Sequence, residues 1–149
     1  MSNTLILIAS RAGARFFSRA GMVKTLTPLT ELNNPQGRLQ EHELTSSRHG
    51  SNQESAVKHG YSPHQTAVDR TSENFAREVS KKLASKLNEA PYSHCYVVAE
   101  PHFLGKLRAE LSKDVLSRCE TIGKDFAPLS QLEIADRIPL ERERLESAS

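Results

Sequence analysis

The chain has 149 residues, 37% of them hydrophobic and 26% charged, which is enough for one core with polar length to spare. A net charge of +2 is too small to argue for nucleic acid by itself. An aromatic content of 5% with no tryptophan speaks against a surface that stacks many bases.

The opening segment, MSNTLILIASRAGARFF, has no basic residues ahead of its apolar run, and that run is too short for a signal peptide. No other run approaches the length of a membrane span. A cytoplasmic chain with no membrane partner is the expectation. In that compartment Cys95 and Cys119 are expected as buried thiols rather than a disulfide.

Thr4–Ser10 is a short, continuous apolar run, the pattern of a central strand covered on both faces. Ala14–Ala20 and Gly21–Leu29 read as two further strands, with Ala20-Gly21 as a tight hairpin turn and Pro28 marking an end or an edge. Three strands in succession suggest an antiparallel meander. From about residue 32 to residue 70 the pattern stops, and large apolar residues nearly vanish. A structureless interval of that length inside a domain is uncommon and usually serves a function or lacks order.

Order resumes at Thr71. Phe75, Val79, Leu83 and Leu87 form one helical stripe over 71–90, with Thr71 or Ser72 as its cap. Ser93–Glu100 is β-branched at its centre and reads as a strand. Pro101 opens a second helix running to about Leu116, its buried face made by Phe103, Leu104, Leu107 and Leu111. Gly105 lies inside that helix, where a close packing contact is the usual reason for a glycine. A weaker strand follows around Cys119–Ile122. The last helix spans 130–138, where Ser130 and Glu133 have capping-box spacing.

The order β-β-β-α-β-α-β-α predicts an α/β domain over residues 1–138 built on a mixed five-stranded sheet. The long polar loop 32–70 interrupts it, and a charged tail, 139–149, follows. A strand, a helix and another strand imply a right-handed parallel crossover. This is the element order of the ribonuclease-H-like fold.

A two-metal nuclease on such a fold needs carboxylates clustered at strand ends. Ser10 stands where the first strand would supply one, and Glu100, Asp125 and Asp136 are the remaining acids considered. His94, Cys95, His102 and Cys119 lack zinc spacing, and the loop histidines are irregularly placed. No nucleotide-binding glycine motif and no nucleophile elbow is present. No metal and no cofactor are expected. Arg77, Lys81, Lys82 and Lys86 line one helix face, which is either a solvated face or an RNA contact.

Four segments, ASRAGARFF, NFAREVSKKL, AEPHFLGKLRAELS and GKDFAPLS, resemble the bacterial family of proteins required for attachment to host cells. The run from Phe103 to Arg108 is the most specific. Relatives commonly carry an aspartate after the first strand, where this chain has Ser10. The family in turn looks like the middle domain of archaeal and eukaryotic class I peptide-release factors. Those proteins carry a loop His-Gly-x-Gly-Gly-Gln-Ser ahead of their first helix. Here His49-Gly50-Ser51-Asn52-Gln53-Glu54-Ser55 occupies that place in the order, with Ser51-Asn52 where the release factors have a glycine pair. Glycines there let the backbone approach RNA closely; asparagine tolerates positive φ better than most residues.

The resemblance implies a release-factor-like protein associated with the ribosome or structured RNA, without DNA specificity. The implied contacts are Arg48, His49, Gly50, Asn52 and Gln53 in the loop, with Arg77, Lys81 and Arg108 on the helices. Gln53 is the one candidate for a catalytic part, in ester hydrolysis on peptidyl-tRNA, where an oxyanion must be stabilised. The competing expectation is a non-enzymatic interaction protein with an indirect effect on host attachment.

Overall fold

From Leu5 to Ala9 the chain carries no polar side chain, so this segment needs cover on both faces. A computed structural model, which describes residues 3–21, 23–39 and 63–139, shows how that cover is supplied. Strands β1 (Asn3–Ser10), β2 (Gly13–Ala20) and β3 (Thr27–Asn33) come first. Then follow α1 (Pro63–Glu89), β4 (His94–Ala99), α2 (Pro101–Glu110), α3 (Lys113–Arg118), β5 (Glu120–Gly123) and α4 (Gln131–Arg137). The sheet has five strands in the order β3-β2-β1-β4-β5. β2 lies antiparallel to both β1 and β3, whereas β4 runs parallel to β1 and β5 parallel to β4. This is the mixed ribonuclease-H-like sheet expected.

Alternation along the strands divides the core in two. Leu5, Leu7, Ala9, Phe16, Cys95 and Val97 face α1, α2 and α3. Ile6, Ile8, Phe17, Tyr96 and Val98 face α4 and the segment before it. The α1 stripe of Phe75, Val79, Leu83 and Leu87 is buried as its spacing predicts, and so are Phe103, Leu104, Leu107 and Leu111. The two helices are joined across their seam by Lys106 with Asp69 and Glu73, and by Arg77 with Glu110. Phe75 and Phe103 pack as tilted rings with centroids 6.2 Å apart.

Several expected boundaries move. The third strand is Thr27–Asn33, not Gly21–Leu29. The chain turns at Gly21 (φ +53°), with the Val23 amide donating to the Ala20 carbonyl. It then leaves the ladder because Leu26 is buried beneath α4, where its carbonyl accepts from the Gln131 side chain at 2.7 Å. The polar interval expected over 32–70 is narrower. Leu32 and Asn33 belong to β3, residues 35–39 form a helical turn, and α1 begins at Pro63. Thr71 and Ser72 are therefore interior to α1 and not its cap. Thr71 donates to the Ala67 carbonyl, and Ser72 is only 4% exposed. Val68 is also buried, one turn before Ser72 on the core-facing side, so tertiary packing carries the helix through a stretch poor in large apolar residues.

The expected second helix is two helices. Leu111 leaves the helical conformation and buries its side chain, and Ser112 caps α3 by accepting from the Val115 amide. Pro101 stands in the first turn of α2, with Glu100 as its N-cap. Ser130 and Glu133 form the reciprocal capping box of α4. Gly105 does not pack closely: an added Cβ would meet nothing within 4 Å.

Two predictions follow from these helices. Gly105→Ala stabilises the protein by about 0.5–1 kcal/mol, because an exposed helical glycine loses backbone entropy without compensation; urea denaturation measures it. The Glu133 carboxyl is held below its ordinary value, mainly by the Ser130 backbone amide. A depressed folded value means that its stabilisation is present above the ordinary carboxylate range and is lost as pH falls through the folded value. The stability difference between the wild type and Glu133→Ala should therefore be full at neutral pH and vanish in acid, as read from denaturation midpoints across pH.

Candidate functional site

β1 and β4 are parallel neighbours that end at the same edge of the sheet. Beyond that edge their chains diverge, β1 into a hairpin turn and β4 into α2. In open α/β sheets a crevice forms at such a divergence, outside the carboxyl ends of the strands. Here it is a half-open cleft of about 560 Å³. Ser10, Arg11 and Ala12 supply one wall, and Glu100, His102 and Phe103 another. Asp125, Ala127 and Pro128 come from the segment after β5, and Ser72 reaches the cleft from α1.

Backbone hydrogen bonding shapes each wall. The Ser10 hydroxyl accepts from the Ala12 amide at 3.1 Å and sets the hairpin turn. An aspartate could accept the same bond, so serine keeps the turn and removes a negative charge from the cleft. Behind the turn, the Asn34 side chain donates to the Arg11 carbonyl at 2.6 Å, and the Asn34 amide donates to Ala12. Gly37 lies so close to that carbonyl that an added Cβ would sit 2.1 Å from it. The chain thus leaves the described part of the β3–α1 connection beside Arg11.

Glu100, the acid at the end of β4, accepts from the Phe103 amide at 2.6 Å and from the His102 amide at 2.9 Å. Its carboxylate caps α2 and satisfies amides that an incoming anion would otherwise find open. Asp125 accepts from the Ala127 amide. Arg15, projecting from β2, donates to the carbonyls of Phe126, Ala127 and Leu129 at 3.0–3.3 Å. Its guanidinium also lies 5.9 Å from the Phe17 ring centroid. One side chain thereby fixes the far wall of the cleft. Among the described residues, no three of His, Cys, Asp and Glu lie close enough to hold a metal ion. The arrangement offers hydroxyls, a guanidinium, an imidazole and a capped helix end, a set suited to holding a polar ligand.

The expected contact residues Arg48, His49, Gly50, Asn52 and Gln53 lie outside the described residues. Arg77 and Lys81 are on the exposed side of α1 and Arg108 on that of α2. They do not form one patch. Arg77 pairs with Glu110 and bonds Asn74, while Arg108 reaches Thr121 of β5. Positions 106 and 110 of α2 face α1, and position 108 lies about 200° around the helix from either. The expected basic face of α1 is also partly spent on structure, since Lys86 pairs with Glu89.

Arg11, Arg15 and Ser72 did not stand out in the sequence. For Arg15 a signal exists: Arg15, Phe17 and Arg19 alternate on one face of β2, and charge alternating with a buried ring marks a face that meets more than solvent. Arg11 and Ser72 carry no comparable signal, because one is a turn residue and the other a small polar residue in a helix.

Three of the segments that carry the family likeness, ASRAGARFF, AEPHFLGKLRAELS and GKDFAPLS, converge on this cleft. The family model for proteins required for attachment to host cells matches residues 5–138. The chain belongs to this family. No curated protein matches it. Among solved structures, the archaeal translation termination factor aRF1 is similar with a TM-score of 0.53 and 14% identity, covering 98% of this chain and 38% of that one. A non-polymerisable quadruple mutant of pCBH ParM is similar with a TM-score of 0.47 and 12% identity, covering 92% of this chain and 47% of that one. The chain thus spans less than half the length of either. At such identities the likeness to the termination factor is one of fold.

In this host-attachment family member, Arg15→Met should loosen the far wall of the cleft while leaving the sheet intact. Losing several bonds from a charged donor is expected to cost about 2–3 kcal/mol. Hydrogen exchange should quicken first at the amides of residues 126–130.

Proposed function

We propose that this family member is a cytoplasmic, release-factor-like protein that associates with the ribosome or with structured RNA. The observation that carries the reading is the convergence of the family-like segments on one polar cleft at the carboxyl edge of β1 and β4. The fold shared with an archaeal translation termination factor supports it. So does the position of residues 35–39, which bring the β3–α1 connection to the Arg11 turn beside the cleft. In this reading the connection supplies Arg48, His49, Gly50, Asn52 and Gln53 to the same RNA partner. Arg77, Lys81 and Arg108 add phosphate contacts from the helices, and such contacts position a protein without reading sequence.

Binding is the core of the proposal. The glycine pair of the release-factor loop is replaced by Ser51-Asn52, so Gln53 serves recognition ahead of hydrolysis. An effect on attachment to host cells then follows indirectly, through changed synthesis of other proteins. The family description itself favours a second reading, an interaction protein without a catalytic role that influences attachment through a protein partner.

Co-sedimentation with ribosomes at low and high salt separates the two. Association at low salt that weakens steeply as salt rises is expected, because phosphate contacts release counterions. Removing one phosphate contact with Lys81→Ala should lower the steepness of the salt dependence by roughly one unit on the logarithmic plot. Arg11→Ala and Gln53→Ala should each weaken binding. No association at low salt, in any ribosome state, refutes the proposal.

A further inference from the structure

Away from the cleft, at the opposite end of β4, the two cysteines of the chain meet. The parallel ladder begins with Tyr96 beside Glu120, and Cys95 and Cys119 are the residues just before that first pair, with Cys119 the extended C-cap residue of α3. Neighbouring strands run roughly 4.8 Å apart, within the Cα separation of about 4.4–6.8 Å that a disulfide spans. Cys95 sits in the core on the face covered by α1, α2 and α3, and Cys119 packs against that same core while remaining partly exposed. Both thiols are free, and each perturbs the titration of the other. Both line a cleft of about 270 Å³, together with Tyr92 and Arg118, so a small oxidant can reach Cys119. None of these residues lines the large cleft at the other edge.

We infer that Cys95 and Cys119 form a dithiol site that hydroperoxides oxidise reversibly to an intrachain disulfide, with Cys119 attacking and Cys95 resolving.

The division of labour follows from the surroundings. The hydrogen bond from Cys95 and the nearby Arg118 guanidinium hold the Cys119 thiol below its ordinary value, against the effect of burial. The same hydrogen bond, together with burial, pushes the Cys95 thiol up. The thiolate is the nucleophile, and Cys119 is the partly exposed thiol while Cys95 is buried, so Cys119 meets the oxidant and reacts first. Its sulfur attacks the distal oxygen of the hydroperoxide; the O–O bond breaks and an S–O bond forms. The departing alkoxide takes the Cys119 proton and leaves as an alcohol. The Cys95 sulfur then attacks the sulfenic sulfur, and the S–O bond breaks. The hydroxyl leaves with the Cys95 proton as water. The thiols lose two electrons in all, which reduce the peroxide. A resolving thiol already in contact protects Cys119 from further oxidation. A bridge of this kind in a cytosolic protein is a transient, redox-sensing state.

The test treats the full-length reduced protein with hydrogen peroxide and follows it by intact mass and by thiol titration in denaturant. The expected result is loss of two hydrogens, a thiol count falling from two to none, and full recovery with dithiothreitol. Peptide mapping of the oxidised wild type should show residues 95 and 119 joined within one chain. With a cyclic 1,3-dione present to trap sulfenic acid, Cys95→Ser should be labelled at Cys119, and Cys119→Ser should be left unlabelled. The wild-type measurements do not depend on either variant folding. Two titratable thiols remaining after peroxide, or a bridge found only between two chains, would overturn the inference.

Discussion

A central strand without a polar side chain from Leu5 to Ala9 is the constraint on which the rest of this structure depends. Buried on both faces, it makes helices on both sides of the sheet obligatory. One face is covered by the long helix α1 with α2 and α3. The other is covered by α4, only seven residues long, and the chain before it. A helix of that length has little intrinsic stability. Its place is held by β2, which reaches across the sheet face with two arginines. Arg15 holds the segment leading into α4, and Arg19 donates to the carbonyls of Ile138 and Pro139 just beyond it. Arg19 is 1% exposed, and carbonyls just past the end of a helix, where the helix dipole is negative, meet its buried charge.

The same constraint locates the cleft. Two parallel strands covered on both faces must hand their chains to different elements at the carboxyl edge, and the crevice opens between them. Its walls are made from backbone held by side chains. Ser10 and Asn34 fix the hairpin turn, Glu100 caps α2, and Arg15 holds the loop of Ala127 and Pro128. A carboxylate committed to capping and a serine committed to a turn hold the walls of the cleft in place. Among the described residues, this ribonuclease-H-like sheet carries no group of three acids, histidines or cysteines placed to hold a metal ion. Such a fold hosts several functions, so chemistry must be argued from the site itself.

The strand and helix order was legible because the core signals are strong and local. Apolar continuity marked β1, four-residue spacing marked α1, and Ser130 with Glu133 marked α4. The misplacements share one cause. Leu26 left the ladder because it packs beneath α4, and α1 began eight residues before its expected start because Val68 and Ser72 are buried and Asp69 meets Lys106. Both depend on partners far away in sequence. Gly105 is the reverse case: a packing contact was expected, and the helix presents it to open space.

Within the cleft, Glu100, His102 and Asp125 could be picked out as residue types, but only separately and in weighing metal chemistry, and Ser10 only as the place of a missing acid. Their true association, with Arg11, Ser72 and the Ala127 backbone, arises from crossover connections that bring distant segments to one edge. The sequence by itself determined the two-sided burial of β1, the alternation that divides the core, the proline that opens α2 and the capping box of α4, since each is written in residues a few positions apart. Only the tertiary structure decided that Arg15 serves a loop more than a hundred residues away and that Cys95 lies beside Cys119. Those outcomes depend on strand register and layer packing, in which the energy of a contact is independent of how far apart its partners lie along the chain.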